Sequence, residues 1–179
     1  MPRGRVKNTH ETKKEVTNNK TPSGASIKLT FDFSYPNWLS GVRLRDFTNM
    51  LKDPHEFAES IVHILNKLIP VVSDNWDSIK FKTNYQFQHC HRVPDDKLPL
   101  VKQIEQEIHG KSLLDPDAEH SVKYWQIGIE GIRMFALYNY DSNIMFPIFI
   151  DYHHLIYPDK NYNQRDTDHF SFCPISEYC

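Results

Sequence analysis

Apolar and polar residues alternate in two stretches of the chain. In residues 26–35, SIKLTFDFSY, every second residue from Ile27 to Tyr35 is apolar. A period of two predicts a β-strand with one face against solvent, and Pro36 and Asn37 end it. Residues 79–88, IKFKTNYQFQ, alternate in the same way and predict a second strand.

A helical period follows the first strand. In residues 53–70, Asp53 is placed to cap a helix, Pro54 suits its first turn and Glu56 completes a capping-box pattern. One face of this helix is apolar through Phe57, Ile61, Ile64, Leu65 and Leu68. Pro70 is predicted to end it. The shorter segment GVRLRDFTNML, residues 41–51, predicts a helical turn.

A second helix is predicted after residue 95. Asp95 or Asp96 can cap it, and it continues through Pro99 to a glycine C-cap at Gly110. Its inward face is formed by three apolar residues at helical spacing, Val101, Ile104 and Ile108.

The last third of the chain predicts three strands, at 123–129, 132–140 and 144–157. The turn Glu130-Gly131 joins the first pair, and Asp141-Ser142-Asn143 joins the second. Helices followed by an antiparallel meander predict an α+β fold, with helices packed on a twisted antiparallel sheet that has a C-terminal three-strand meander. We expect one such domain over residues 26–179.

Charge separates the beginning of the chain from the rest. The net charge is −2, yet residues 1–20 carry six Lys or Arg against Glu11 and Glu15. Residues 1–25 are polar and without periodicity, which predicts a disordered basic arm, either a solvated tail or a segment drawn to RNA, DNA or a ribosome. The sequence contains no run of about 18 apolar residues and therefore predicts no membrane span. A charged N-terminus without an apolar stretch favours a cytoplasmic protein, and three cysteines do not predict a disulfide framework.

The stretch YWQIGIEGIRMFALYNYDSNIMFPIFIDYHHLIYP resembles the last hairpins of the RelE/ParE toxin superfamily. The similar features are a short strand, the Gly131-Ile132-Arg133 turn, and an acidic hairpin before a final apolar strand, within residues 97–160. The resemblance implies an RNA endonuclease that acts on ribosome-associated mRNA without a metal or other cofactor, with a protein antitoxin as partner. This chain departs from the family in its acidic folded part, its greater length and its long tail after the last strand.

The resemblance also implies roles for particular residues. Arg133 would hold the phosphate, and His153 or His154 would move protons. Further support would come from three residues beyond them, Tyr157, Lys160 and Arg165, and Arg92 would bind substrate. Other roles are open: Arg133 could pair with Glu130, and Tyr157 could anchor the exit of the strand. Within a strand, His153 and His154 would face opposite sides, so that one at most would enter the site.

Two other functions are open. Zinc could be bound by a composite set of ligands, namely His89, His91, His153, His169 and Cys173, although no CxxC or HExxH motif is present. The acidic folded part favours instead a non-catalytic interaction protein of a mobile element or defence system. We favour burial over metal for the tail: Phe170 and Phe172 should pack on the sheet or on a helix, with Cys173 buried and reduced.

Overall fold

Three long antiparallel strands form the centre of the sheet. The computed structural model of the chain describes residues 28–158 and 166–179. Within them, β5 (Val122–Ile129), β6 (Ile132–Asn139) and β7 (Ile144–Asp151) pair in sequence order. Glu130 and Asn143 turn the chain with positive φ angles of 49° and 55°. The predicted meander and the α+β class are confirmed. The predicted basic arm, Lys160 and Arg165 lie outside the described residues.

Two short strands flank the meander and make the sheet mixed. β1 (Thr30–Phe31) pairs with β7 in parallel, and β4 (His91–Arg92) pairs with β5 antiparallel, so that the order is β1-β7-β6-β5-β4. The prediction of a purely antiparallel sheet is therefore wrong at β1. In its described part, the predicted strand of residues 26–35 pairs only at Thr30–Phe31.

The first helix runs beyond its predicted end. Asp53 caps α1 (Pro54–His63) by accepting from the amide of Glu56 at 3.0 Å, as predicted. A π-helical turn (Ile64–Leu68) and α2 (Ile69–Asp74) then continue the helix through Pro70. Pro70 has no amide hydrogen to donate to the helical hydrogen-bond ladder. The π-helical turn just before Pro70 is wider than an α-helical turn and changes which carbonyl each amide pairs with.

Two local predictions are wrong. Residues 79–88 form no strand: Ile79 is buried in α3 (Trp76–Lys80), and Tyr85–Phe87 form a 3₁₀ turn. Residues 41–51 contain a β-hairpin of β2 (Arg43–Leu44) and β3 (Phe47–Thr48) instead of a helical turn. In both segments, contacts with distant parts of the chain outweigh the local pattern.

Helices cover both faces of the sheet. The first face packs against the α1–α3 layer, where the ring of Trp76 lies 4.9 Å from that of Trp125 and 4.7 Å from that of Tyr138. The second packs against α4 (Leu98–His109), which buries Val101 and Ile104 and ends at Gly110 with φ 70°. Burial on both faces explains why β6 and β7 are almost continuously apolar.

The C-terminal segment is held by apolar contacts, as predicted. Phe170 is 9% exposed, and the ring of Phe172 lies 6.3 Å from that of Phe57 in α1. The backbones of Phe172 and Leu51 exchange two hydrogen bonds of 2.9 Å. Cys173 is buried and free, just before α5 (Pro174–Tyr178). Among the described residues, no helix has the length and apolar character needed to cross a bilayer.

Candidate active site

Asp151 organises the exit of β7. Its carboxylate is 1% exposed and accepts three backbone amides, from His153 at 3.2 Å, Leu155 at 3.1 Å and Ile156 at 3.0 Å. Burial raises the pKa of Asp151, and these amides partly offset the rise. The carboxylate therefore fixes the turn after the strand, where a polar cluster begins.

Arg133 lies beside Asp151 and crosses the neighbouring strand over Gly128. It is 8% exposed and pairs in register with both residues. A Cβ atom on Gly128 would lie 2.6 Å from Cδ of Arg133 and 2.9 Å from Cβ of His89. Glycine at position 128 is therefore what lets the arginine side chain lie against β5 and brings it to His89.

The charge of Arg133 is held within the protein. Burial lowers its pKa while the Asp151 carboxylate raises it, and a guanidinium stays protonated at neutral pH. Its Nη1 donates to the carbonyl of Ile132 at 3.0 Å. Glu130 contacts Lys67 and lies 3.9 Å from Nδ1 of His63, so the contacts of its carboxylate are with α1 and the π-helical turn.

His89 and His91 precede and begin the edge strand β4. His89 is exposed, and its pKa is lowered by partial burial and then by the charges of Arg133, His154 and His91. His91 donates from Nδ1 to the carbonyl of Arg92 at 3.0 Å, and its Nε2 accepts from the Gln126 amide at 3.3 Å. The same amide donates to the carbonyl of His89 at 3.0 Å. These contacts place the His91 ring between the Arg92 carbonyl and the Gln126 side chain.

His153 and His154 donate hydrogen bonds to backbone carbonyls. Nε2 of His153 donates to Met50 at 2.7 Å, and Nε2 of His154 donates to Gly131 at 2.7 Å. β7 ends at Asp151, so the two residues lie in the turn and not on opposite faces of a strand. Both side chains join the strand exit to other segments, and His153 is only 8% exposed.

Tyr157 and Arg92 lie at the edge of the cluster. The Tyr157 ring stands 5.6 Å from the His91 ring, and Nζ of Lys97 lies 5.8 Å from its centroid. Burial, followed by the charge of Asp96, raises the pKa of Tyr157 to about 12. Arg92 is exposed, with Nη2 3.9 Å from Asp95. The predicted residues Arg133, His154, Tyr157 and Arg92 thus border one region, whereas His153 is directed toward Met50.

The described part of the chain groups no three His, Cys, Asp or Glu side chains in a way that could hold a metal ion. The His169 side chain is 89% exposed and lies 4.0 Å from Asp166. Cys173 accepts the amide of Gly41 at 3.1 Å. Two of the candidate zinc ligands therefore have contacts of their own in the C-terminal segment.

Gln126 and Gly128 are the cluster residues that the sequence reasoning missed. They occupy alternate positions on one face of β5. The other two residues in the second half of the strand, Ile127 and Ile129, are apolar. The signal was present in the two-residue turn Glu130-Gly131, because its register places Gly128 opposite Arg133.

The fold and the site define an α+β protein with an arginine–histidine cluster at one end of a covered mixed sheet. The chain belongs to the family described as Uncharacterised protein UU032, whose model matches residues 34–179. A relative of that name in Ureaplasma parvum serovar 3 (strain ATCC 700970) is 30% identical over 176 residues, which are 92% of this chain and 95% of the relative. No solved structure matches this chain. The resemblance to RelE/ParE toxins stays a prediction.

Proposed function

We propose that this protein is a cytoplasmic, toxin-like RNA endonuclease that cleaves ribosome-associated mRNA without a metal and is controlled by a protein antitoxin. One observation carries the proposal: Cβ of His89 and Cδ and Nε of Arg133 all lie within 3.0 Å of the point where a Cβ atom on Gly128 would stand, and the charge of Arg133 lowers the pKa of His89. An imidazole beside a guanidinium supplies a proton acceptor and a fixed positive charge, which are the groups that cleavage at a phosphate requires.

His89 serves as the general base in this proposal. Partial burial, followed by the charge of Arg133, lowers its pKa, which favours the neutral imidazole, the form that can accept a proton. His89 takes the proton of an RNA 2′-hydroxyl, and the 2′-oxygen bonds to the adjacent phosphorus. The bond from phosphorus to the 5′-oxygen breaks, and that oxygen takes a proton from water. The products are a 2′,3′-cyclic phosphate and a 5′-hydroxyl.

Arg133 offsets the negative charge that builds on the phosphate oxygens during this step. Arg133 keeps the role that the RelE/ParE resemblance implies. The residue that transfers protons beside it is His89 in place of His153 or His154. Those two imidazoles already donate to Met50 and Gly131, so they serve as positioning residues for the turn around Asp151. Tyr157 positions His91 by ring contact.

A basic concavity next to β4 supports the choice of a nucleic acid as substrate. Its volume is about 160 Å³, and its lining carries three cations, Arg92, Lys102 and Lys123, against one carboxylate, Glu119, which lies 3.7 Å from Lys102. Although the chain as a whole carries a charge of −2, the lining of this concavity has an excess of positive charge, which would attract phosphates.

Replacement of His89 by alanine tests the proposal, because the side chain is exposed and its loss should leave the fold intact. End-labelled RNA, free and ribosome-bound, is incubated with the protein in EDTA. We expect wild type to leave 2′,3′-cyclic phosphate ends and His89→Ala to be slower by roughly 10²–10⁴-fold. The matched control is His169→Ala, which removes an exposed imidazole in the C-terminal segment.

The pH profile provides a second readout. The rate should rise with pH through the pKa of His89, with a midpoint below the ordinary histidine value of about 6.5. Intact RNA with wild-type protein on and off the ribosome, or equal rates for wild type and His89→Ala, would refute the proposal.

An acidic concavity favours a second candidate, the non-catalytic interaction protein. A cavity of about 290 Å³ on the other side of the Glu130-Gly131 turn is lined by Glu56, Glu59 and Glu130. The Tyr152 hydroxyl and Nε2 of His63 belong to residues that line it, and both are buried without a hydrogen-bond partner among the described residues. Such a surface suits a lysine or arginine side chain of a partner protein.

A charge reversal tests this candidate. The Glu59 side chain is 70% exposed, so Glu59→Lys should leave the fold intact and abolish retention of a basic protein from host lysate. Glu107→Lys on α4 is the control. Equal retention by both variants and by wild type would rule out this surface.

A further inference from the structure

The chain segment that leads into the cluster lacks carboxylates. Between Asp77 and Asp95 there is no Asp or Glu, whereas Lys80, Lys82 and Arg92 contribute positive charge. The segment therefore carries positive charge without nearby negative charge in the chain, which would attract a polyanion.

Two aromatic rings project from the same segment. Phe81 is 67% exposed and Tyr85 is 97% exposed, although aromatic rings ordinarily contribute to the core. The cation of Lys80 lies 5.2 Å from the centroid of the Phe81 ring. Exposed rings beside lysines are the components of surfaces that stack on unpaired nucleobases.

The backbone holds these rings in place. Tyr85 begins a 3₁₀ turn in which the Asn84 side chain accepts the amide of Gln86 at 2.9 Å. Phe87 packs against the apolar cluster beneath α1–α3, and its carbonyl accepts the amide of the buried Cys90 at 2.8 Å. The turn is thus anchored at its inner side, while Tyr85 points outward.

The position of Tyr85 relates it to the candidate active site. The amide of Gln88 donates to the Tyr85 carbonyl at 3.3 Å, and the Gln88 side chain lies 3.4 Å from Nε2 of His89. Four residues of chain span at most about 14 Å, and stacked nucleotides advance about 3.4 Å each along one strand. The backbones of Tyr85 and His89 are therefore no farther apart than about four stacked nucleotides.

We infer that residues 80–92 form a binding platform for single-stranded RNA, in which Phe81 and Tyr85 stack on unpaired bases and Lys80 and Lys82 contact phosphates. Duplex RNA fits less well because its base faces are already stacked on one another and are closed to these rings. The inference takes its ligand from the proposed function, but binding by the platform does not require cleavage at His89.

Binding of an RNA that cannot be cleaved tests the platform separately from catalysis. A fluorescein-labelled oligouridine with 2′-O-methyl groups has no 2′-hydroxyl to attack the phosphate, and anisotropy reports its Kd. We expect Tyr85→Ala to weaken binding by roughly 5- to 150-fold, the range for loss of one stacked base. Tyr85→Trp should restore it. The control Tyr178→Ala, at a tyrosine that is 63% exposed in α5, should bind as wild type does.

Salt dependence tests the lysines. Each phosphate contact on a single strand contributes about 0.7 to the slope of log affinity against log salt concentration. Lys82→Ala should therefore reduce the magnitude of the slope by about 0.7, and Lys111→Ala beyond α4 should leave it unchanged.

The outcomes separate the two proposals. Loss of oligouridine binding in Tyr85→Ala, with no cleavage of ordinary RNA by wild type, would support the platform and refute the nuclease. Three results would overturn the platform: no binding by wild type, equal binding by wild type and Tyr85→Ala, or binding of duplex RNA as tight as that of the single strand. If the wild-type protein still cleaves RNA in any of these cases, the proposed nuclease activity is not refuted.

Discussion

Gly128→Ala perturbs the contact on which the candidate site depends. The new methyl group would lie 2.6 Å from Cδ of Arg133 and 2.9 Å from Cβ of His89. The arginine side chain can swing away, but Cβ of His89 moves only with its backbone. Displacement of Arg133 would also change its electrostatic interaction with the buried carboxylate of Asp151.

The cost can be bounded from two opposing effects. Overpacking of a filled site costs about 1–3 kcal/mol, while replacement of glycine in a strand returns about 0.5–1 kcal/mol of chain entropy. We expect a net loss of roughly 0–2.5 kcal/mol in the free energy of unfolding. Urea titration followed by tryptophan fluorescence measures it, because Trp38, Trp76 and Trp125 are buried and report on the core.

Gly131→Ala is the matched control, because a Cβ atom there would meet no atom within 4 Å. A double-mutant cycle isolates the arginine: in an Arg133→Ala background, Gly128→Ala should cost about 1 kcal/mol less than in wild type. Equal unfolding free energies for Gly128→Ala and Gly131→Ala, or strict additivity in the cycle, would refute the packing of Arg133 over Gly128.

Two further predictions concern buried titratable groups. Glu105 is fully buried and accepts a hydrogen bond from the Tyr124 hydroxyl at 2.9 Å, and its pKa is raised mainly by burial. Between the pKa of the unfolded state, about 4.3, and the higher pKa of the folded state, the folded protein holds a proton on Glu105 that the unfolded chain has lost. Stability therefore falls as the pH rises above about 4.3. In urea titrations from pH 4 to 7.5, the stability of Glu105→Gln relative to wild type should increase with pH. A difference that does not change with pH would contradict this. Burial raises the pKa of the Cys90 thiol to about 11, so a thiol reagent should label exposed Cys179 at once in the native protein and Cys90 only in denaturant. In a Cys173→Ser/Cys179→Ser variant, where Cys90 is the remaining thiol, rapid labelling of the native protein would contradict it.

Local signals in the sequence determined much of the architecture. The meander follows from three strand-length apolar segments and the two turns between them, and α4 follows from its apolar spacing and Gly110. The Asp53 cap and the anchoring of the tail by Phe170 were also predicted. These features depend on residues close together in the chain or on burial alone, which composition and period report directly.

The tertiary structure decided which segments of the chain pair and pack with one another. The parallel pairing of β1 with β7 and the helical start of residues 79–88 depend on which distant surface each segment meets. The same holds for the site: the sequence pointed to Arg133, but its neighbour His89 comes from the opposite edge of β5 through β4. A period of two or 3.6 residues records which side of a segment is buried, and only the folded sheet determines what lies against that side.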